Sequence, residues 1–495
     1  MNDPAIIDES IISGGSDAGL KVGITAFGAW MVGIGSIIGS FAWLIHGPML
    51  ARAGAMACVT AWIIASAAAV PLGLILMELS SMFPNAGGPY VYKYYALTRL
   101  IPGKGELIGF LTGWLFWICF IVGLSAMSNG LVNLMSSVVW GAATVPLWFG
   151  PLVILFLFGS TTALNFYPVA RAAQINNVFT IMKLAMAAGF IMLVVFSGHA
   201  STERVWQWSN PKGGTSFWVN VNAVLMLALA GFAGIELSGC TSAETADARR
   251  VVPRAMILTL FSVALIYITM CLGVSAAFKY VLSADGSTLV VPGANVRATI
   301  PDLAGLLAGP FVGQLFTLAV VASIVGCAFV ALMGMARISY SMAKTKLFPQ
   351  QFARLDPHTG VPRYALWFQL FCLCVIACGA NLLSRSGLFV DAYTFLGETF
   401  GFMYAFVAAL YGVCLISLRY TDPQLERAFR LGGKSNLFGG KSNLLAWILV
   451  SINVGIWGFS AVFCVNWMHQ AAGVLLMLAG IPIYNHYRKS ASRQL

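Results

Sequence analysis

The chain has 495 residues, of which 59% are hydrophobic and only 9% are charged, and its formal net charge is +11. Soluble proteins carry about 25% charged residues, so this composition excludes a water-soluble globular fold and indicates a multi-pass membrane protein whose solvent is the lipid bilayer. The basic residues are spread over short loops without a basic-aromatic patch, so we expect no nucleic-acid partner.

Stretches without Asp, Glu, Lys or Arg predict an all-α protein with about 12 transmembrane helices, because one span needs about 20 apolar residues. Residues 1–20 carry four acids and no apolar run, so they are predicted to form a tail rather than a signal peptide. The predicted helices cover about 22–46, 53–80, 107–138, 147–166, 174–197, 216–240, 253–279, 305–341, 364–382, 391–418 and, for the last two, 443–487.

The Lys and Arg residues of the loops predict the orientation. With the N-terminus inside, 21 of the 28 lie on the cytoplasmic side, six lie on the opposite side, and Lys183 lies within a span. Both termini are therefore expected in the cytoplasm, with the protein in a bacterial inner membrane or a plasma membrane.

Two predicted helices contain glycine-rich interruptions, VGIGSIIGSF at 32–41 and GFAGIELSG at 231–239. Glycine costs about 1 kcal/mol in a helix interior. For one stretch alone, helix packing through small residues such as Gly35 and Gly39 is the simpler interpretation. A dinucleotide-binding loop is excluded, since it would have to follow a strand in a soluble unit. Two such stretches at corresponding positions instead favour an inverted repeat, in which the first helix of each half is discontinuous.

The repeat hypothesis divides the chain into four parts. We predict a cytoplasmic tail at 1–20, a first half with helices 1–5 at 21–200, a second half with helices 6–10 at 201–420, and an appended pair, helices 11 and 12, with a cytoplasmic tail at 421–495.

Four motifs resemble those of the amino acid–polyamine–organocation transporters, which share the leucine-transporter-like fold. They are GSIIGS at 35–40, ELSSMFPNAGGPYVY at 78–92, GIE at 234–236 followed by PRAM at 253–256, and RISYSMAKTKLFPQQFARLDPHTGVP at 337–362. The resemblance covers about 20–430. It implies a secondary active transporter, not an enzyme, that needs no cofactor.

The resemblance also implies a substrate site at the two breaks. A broken helix frees backbone N–H and C=O groups that lipid cannot satisfy, whereas an α-amino acid presents a carboxylate and an ammonium that can. The implied substrate-binding residues are Gly35, Ser36, Gly39, Ser40, Phe41, Ala230, Phe232 and Gly234. Phe41 departs from the family, which has glycine there, and Phe232 is the nearest candidate for a gating aromatic.

Charged residues inside predicted spans are expensive and usually functional. Lys183 resembles the helix-5 lysine of sodium-independent relatives, where the ammonium stands in the sodium site and bridges the helix-1 break to helix 8; Ser323 or Cys327 is the expected helix-8 side. Snorkelling to the membrane surface is the alternative for Lys183. Glu236 beside the helix-6 break is a candidate gate or proton-responsive group.

Two further acids have other expected roles. Glu78 is expected to be solvated or bonded to a loop at the cytoplasmic end of helix 2. Glu398 is a possible pocket charge, which would favour an amine substrate.

Three functions follow as hypotheses. The first is a sodium-independent amino acid permease that works by proton-coupled symport or exchange. The second is a polyamine or organic amine transporter of the same fold. The third, a channel or membrane-bound enzyme, is weakly supported because the five histidines lie mostly far apart and no ring of like charges appears. The cysteines at 372, 374 and 378 are interpreted as small buried hydrophobes, so no metal is expected.

Overall fold

The protein is described from a computed structural model that covers residues 20–101, 103–141, 144–206, 216–282, 289–291, 296–297, 299–387, 391–432 and 443–492. The predicted N-terminal tail lies outside these residues except for Leu20, and so do the last three residues of the predicted C-terminal tail.

The described chain is almost entirely helical. The helices are α1 (Ala26–Ile37), α2 (Ser40–Leu44), α3 (His46–Ala53), α4 (Ala55–Met82), α5 (Gly88–Leu100), α6 (Gly105–Val139), α7 (Phe149–Leu164), α8 (Val169–Phe196), α9 (Thr202–Val205), α10 (Phe217–Ala230), α11 (Leu237–Cys240), α12 (Ala248–Ala277), α13 (Ile300–Ala308), α14 (Pro310–Lys344), α15 (Arg363–Arg385), α16 (Ala392–Thr421), α17 (Leu444–Phe463), α18 (Trp467–Leu478) and α19 (Gly480–Ser492). Two short 3-10 helices cover Ser242–Glu244 and Gln350–Ala353.

Nine helices of the described residues are long and apolar enough to cross a membrane. They are α4, α6, α8, α12, α14, α15, α16, α17 and the segment Trp467–Lys489, and three shorter apolar helices, α1, α7 and α10, accompany them. A polytopic all-α membrane protein is therefore confirmed. The number of twelve spans stays a prediction.

The structure breaks the two helices that were predicted to be discontinuous. Predicted helix 1 divides into α1 and α2 at Ile38–Gly39, where Ile38 has an extended backbone. Predicted helix 6 divides into α10 and the single turn α11, separated by residues 231–236, in which Gly234 has a φ of 114°. This positive φ is a conformation that L side chains rarely adopt, so glycine is needed there.

Two helices form the centre of the bundle and others its surface. The apolar stretches of α6 and α16 are mostly buried and the two helices pack against each other, as do α4 and α12. In contrast, α8, α15 and α17 expose large apolar side chains, such as Phe196, Phe371 and Phe463. Apolar surface of this extent is costly in water but natural against lipid.

Two features outside the spans were not predicted. Helix α5 follows the left-handed Gly87, whose N–H donates to Cys240 O at 2.9 Å and so attaches the start of α5 to α11. A three-stranded antiparallel sheet forms from β1 (Val281–Leu282), β2 (Leu289–Val291) and β3 (Val296–Arg297), with Val281 opposite Val290 and Val290 opposite Arg297.

Candidate functional site

The two helix breaks contact each other directly. The Ser36 hydroxyl donates to Gly234 O at 2.9 Å and to Gly33 O at 2.8 Å. A side chain at Gly234 would begin 2.9 Å from Ser36 O, closer than real Cβ contacts allow. The predicted substrate residues Ser36 and Gly234, 198 positions apart in the sequence, therefore lie at one place.

The break in helix 1 needs glycine because other helices approach it closely. A Cβ at Gly39 would lie 2.9 Å from both Cys327 Sγ and Met127 Sδ, on α14 and α6. Gly39 N–H donates to Ile37 O at 2.9 Å, and α2 begins at the next residue without a side-chain cap. The start of α2 therefore presents backbone N–H groups at a buried position, which suits an anionic group.

Lys183 reaches the end of α1. It is fully buried on α8, and its ammonium donates to Gly35 O at 2.8 Å. On the same helix, Thr180 donates to Met31 O at 3.2 Å. Lys183 therefore points into the bundle toward the break rather than snorkelling to the surface.

Residues of α14 hold the next carbonyl groups of the break. Ser323 donates to Ile38 O at 3.4 Å and accepts a bond from Trp43 Nε1 at 2.7 Å, while Cys327 donates to Ser36 O at 3.2 Å. Lys183 and these two side chains thus bond neighbouring carbonyl groups of helix 1: α8 bonds Gly35 O, and α14 bonds Ser36 O and Ile38 O.

Phe41 extends from α2 toward α16. It lies in the helical part of α2, its ring centroid is 6.0 Å from that of Tyr393, and its outer carbon faces Gly397 on α16. Its neighbour Ser40 is buried. The ring therefore lies between α2 and α16.

The candidate gate Phe232 lies in a buried aromatic cluster. Its ring centroid is 5.6 Å from that of Tyr267 and 6.4 Å from that of Trp62. The Tyr267 hydroxyl donates to Ile37 O at 3.3 Å, so the cluster also contacts the helix-1 break. Ala230, the last residue of α10, packs against Gly401 of α16.

Glu236 is fully buried at the end of the helix-6 break. Its carboxylate accepts a hydrogen bond from the Tyr404 hydroxyl at 3.0 Å and interacts electrostatically with Lys93. Sequence reasoning missed Lys93, because it follows the AGGPYVY motif outside the predicted spans and was counted as a loop cation. The signal that could have indicated its burial is the apolar and aromatic run on both sides, VYKYYAL.

Glu398 has a partner of its own. Its carboxylate accepts a hydrogen bond from Arg52 Nη1 at 2.6 Å and lies 3.5 Å from His469 Nε2. A guanidinium neutralises the charge at this position, so Glu398 is not a carboxylate left open for an amine substrate.

The end of the bundle at which α1 begins, named the inner end here, is tied together by buried ion pairs. Glu78 is fully buried and bonds Arg419 as well as the Leu431 N–H, so it is bonded to a loop as expected but is not solvated. Arg337 donates two bonds to Glu244, whose backbone carbonyl accepts the N–H groups of Gly23 and Ile24.

The chain is similar to known transporters over nearly its whole length. A family model described as amino acid permease matches residues 24–481. A glutamate/serine transporter of Bacillus subtilis is 26% identical over 94% of this chain and 81% of its own. A serine/threonine exchanger of the same organism is 27% identical over 76% and 81%, and its branched-chain amino acid permease is 23% identical over 98% and 97%.

A solved structure has the same fold. The manganese transporter of Eremococcus coleocola covers 100% of this chain and 97% of its own, with a TM-score of 0.57 and 13% sequence identity. At that identity the likeness shows the fold alone.

Proposed function

Because the chain belongs to the amino acid permease family, we propose that it is a secondary active transporter that moves amino acids independently of sodium, by proton-coupled symport or exchange. The observation that carries this proposal is the Lys183 ammonium, 2.8 Å from Gly35 O beside the helix-1 break. An ammonium bonded to this carbonyl supports sodium independence, because freed carbonyl groups of broken helices are the groups that bind sodium in transporters of this kind.

The substrate is proposed to bind where the two breaks meet. The N–H groups at the start of α2, with Gly39, Ser40 and Phe41, would hold the carboxylate, and the irregular segment 231–236 would face the ammonium. The α1 carbonyls of Gly35 and Ser36 already accept bonds from Lys183 and Cys327, so these residues shape the site more than they contact the ligand.

Transport is proposed to occur by alternating access around this site. The halves at 21–200 and 201–420 would rock against each other, with 421–495 appended. In the proposed orientation, the inner end faces the cytoplasm together with both termini, in an inner or plasma membrane. The saturated ion pairs at that end support a state in which the inner side is closed.

Uptake by the purified protein in proteoliposomes tests this function. We expect labelled serine, glutamate or leucine, the substrate classes in the names of the relatives, to be taken up equally well in sodium and in choline buffer. An inward proton gradient should increase accumulation, and a protonophore should abolish the increase. Uptake that requires sodium would contradict sodium independence, and no uptake of any amino acid would contradict the substrate class.

The organic-amine alternative has lost part of its support, because Glu398 is paired with Arg52. We therefore expect excess putrescine to leave amino acid uptake unchanged. Competition by putrescine that is lost in Glu236→Gln would instead favour the amine function.

A further inference from the structure

Lys93 is a buried cation that the proposed substrate site does not use. It lies on α5, is fully buried, and its Nζ has no hydrogen-bond partner in the described part of the chain. Its Nζ lies over the face of the Tyr411 ring, 3.7 Å from the centroid, and 5.3 Å from the centroid of the Phe116 ring. Aromatic faces attract an ammonium but leave its N–H donors without hydrogen bonds, which is costly in a buried position.

Further unsatisfied polar groups surround Lys93. The hydroxyls of Tyr92 and Tyr411 are also buried without a hydrogen-bond partner among the described residues. The two rings are 5.9 Å apart, and the Tyr92 hydroxyl faces Gly239 of α11. Three unsatisfied donors of this kind form a site that suits bound water, which typically bonds about three such groups.

Helix α16 connects this site to the helix-6 break. Tyr404 bonds Glu236, and Tyr411 contacts Lys93. The two tyrosines are seven residues apart, which is two helical turns and about 10 Å along the axis. Glu236 and Lys93 are therefore the two ends of one polar column, defined here as Glu236, Tyr404, Tyr92, Tyr411 and Lys93.

One acidic residue lies among the groups that face Lys93 from the neighbouring helices. Helix α16 contributes Tyr411 and Cys414, α6 contributes Cys119, and the segment after the helix-6 break contributes Cys240 and Glu236. Among these groups only Glu236 carries a carboxyl group, so Glu236 is the counter-charge of Lys93 whenever both are ionised.

Lys93 is also close to the inner end of the bundle. Helix α5 runs from the turn at Gly87, which is bonded to α11, to the exposed residues Arg99 and Leu100. On the same helix, Tyr90 is bonded to Thr345 at the end of α14. The column thus leads from the helix-6 break to a helix whose last residues are exposed.

We propose that Lys93 is the inner proton acceptor for Glu236. One proton leaves the Glu236 carboxyl group, passes through bound water and the tyrosine hydroxyls, and is taken up by the neutral Lys93 amine; the ammonium then releases it to the inner aqueous phase. Each transfer leaves a carboxylate at Glu236 and forms an ammonium at Lys93, so charge and protons balance. This inference rests on the proposed proton coupling and names the residue that completes it.

Two assays in proteoliposomes separate the relay from substrate binding. Counterflow measures exchange of labelled for unlabelled amino acid and needs no net proton movement. Accumulation driven by an imposed proton gradient, with a pH-sensitive dye inside the vesicles, measures coupled protons. In Lys93→Met we expect counterflow within twofold of the unmodified protein and gradient-driven accumulation reduced about a hundredfold, the contribution typical of a positioned proton-transfer group.

Lys93→Arg distinguishes a relay from a fixed charge. Arginine keeps the positive charge but does not give up its proton, so accumulation should fail as it does in Lys93→Met. Lys104→Met, an exposed lysine at the start of α6, is the matched control and should change neither assay. Gradient-driven accumulation that persists in Lys93→Arg, or in Lys93→Met with an unchanged proton count, would overturn the proposal.

Folding of each variant is checked by size-exclusion chromatography and thermal unfolding. Tyr411→Phe keeps the ring beneath Nζ and removes only the hydroxyl, so it decides the question if Lys93→Met does not fold. We expect it to lower accumulation about fivefold, the effect of one lost hydrogen bond, with counterflow unchanged. Unaltered accumulation in Tyr411→Phe would overturn the relay. If the unmodified protein itself shows no gradient-driven accumulation, proton coupling fails for the whole protein, and Lys93 is not the cause.

Discussion

Buried charges at the inner end and buried charges in the interior are satisfied in different ways. At the inner end, the Glu78 carboxylate accepts bonds from Arg419 Nε at 2.9 Å, Arg419 Nη2 at 2.5 Å and the Leu431 N–H at 2.8 Å. In the interior, Lys183 has one carbonyl partner, and Lys93 has an aromatic ring and a carboxylate at a distance.

This difference separates structural from functional charge. Arginine stays ionised and its planar fork matches a carboxylate, so a saturated arginine pair stabilises one arrangement of helices. Lysine is a point charge that loses its proton readily when buried. The inner-end pairs therefore suit a closed gate, and the interior lysines suit a coupling mechanism in which protonation changes.

The largest expected effect is on stability, from breaking an inner-end pair. Glu78→Gln leaves the buried Arg419 guanidinium without its counter-ion, which should cost about 3–5 kcal/mol of unfolding free energy. Thermal unfolding in detergent measures the loss. Arg249→Met is the control, because its partner Glu426 is exposed and such pairs contribute about 0–1 kcal/mol. Equal unfolding temperatures for the two variants would contradict the structural role of Glu78.

For the interior lysine we expect the opposite result, namely a large loss of transport and a small change in stability. Lys183→Met removes a buried charge that has no carboxylate partner among the described residues, so the lost bond to Gly35 O, about 1 kcal/mol, is largely offset by the relieved desolvation. We expect transport to fall about tenfold or more while the unfolding temperature changes by a few degrees at most. Uptake and thermal unfolding are measured on the same preparation, and normal uptake would exclude Lys183 from coupling.

The contact between the two breaks can be tested apart from backbone strain. Gly234→Ala places a methyl group 2.9 Å from Ser36 O at a φ of 114°, whereas Gly309→Ala meets a φ of 95° with nothing within 4 Å. Both should lose about 1–3 kcal/mol from strain. Only Gly234→Ala should abolish uptake and substrate-induced thermal stabilisation. Similar transport in both variants would mean that the close approach of the breaks is not needed.

The smallest expected effect concerns specificity. Phe41→Gly restores the glycine of the resembling family and removes a ring that lies between α2 and α16, so larger substrates should fit better. We expect the ratio of KM for leucine to KM for serine to fall about tenfold, as expected for a few methylenes of pocket space. Phe406→Ala, an exposed phenylalanine on α16, serves as control. An unchanged ratio would show that Phe41 does not shape the pocket.

Local pattern was sufficient to predict much of this protein. Apolar runs indicate the spans because lipid demands about 20 uncharged residues in a row, and observed helix ends such as those of α6 and α16 lie within three residues of the prediction. The glycine-rich stretches indicated both breaks, and the expense of a charge in a span indicated Lys183. These signals need only neighbouring residues.

The tertiary structure determines which buried charged residues pair with each other. Glu78 and Arg419 are 341 positions apart, and Arg52 and Glu398 are 346 apart, so no local pattern pairs them. Lys93 resembles an ordinary loop lysine until α5 folds against α6 and α16 and buries it. Local sequence was enough to predict the apolar helices and the two places where helices break. The packing of distant helices decided which buried charges form saturated ion pairs and which do not, because burial and pairing depend on contacts between segments remote in the chain.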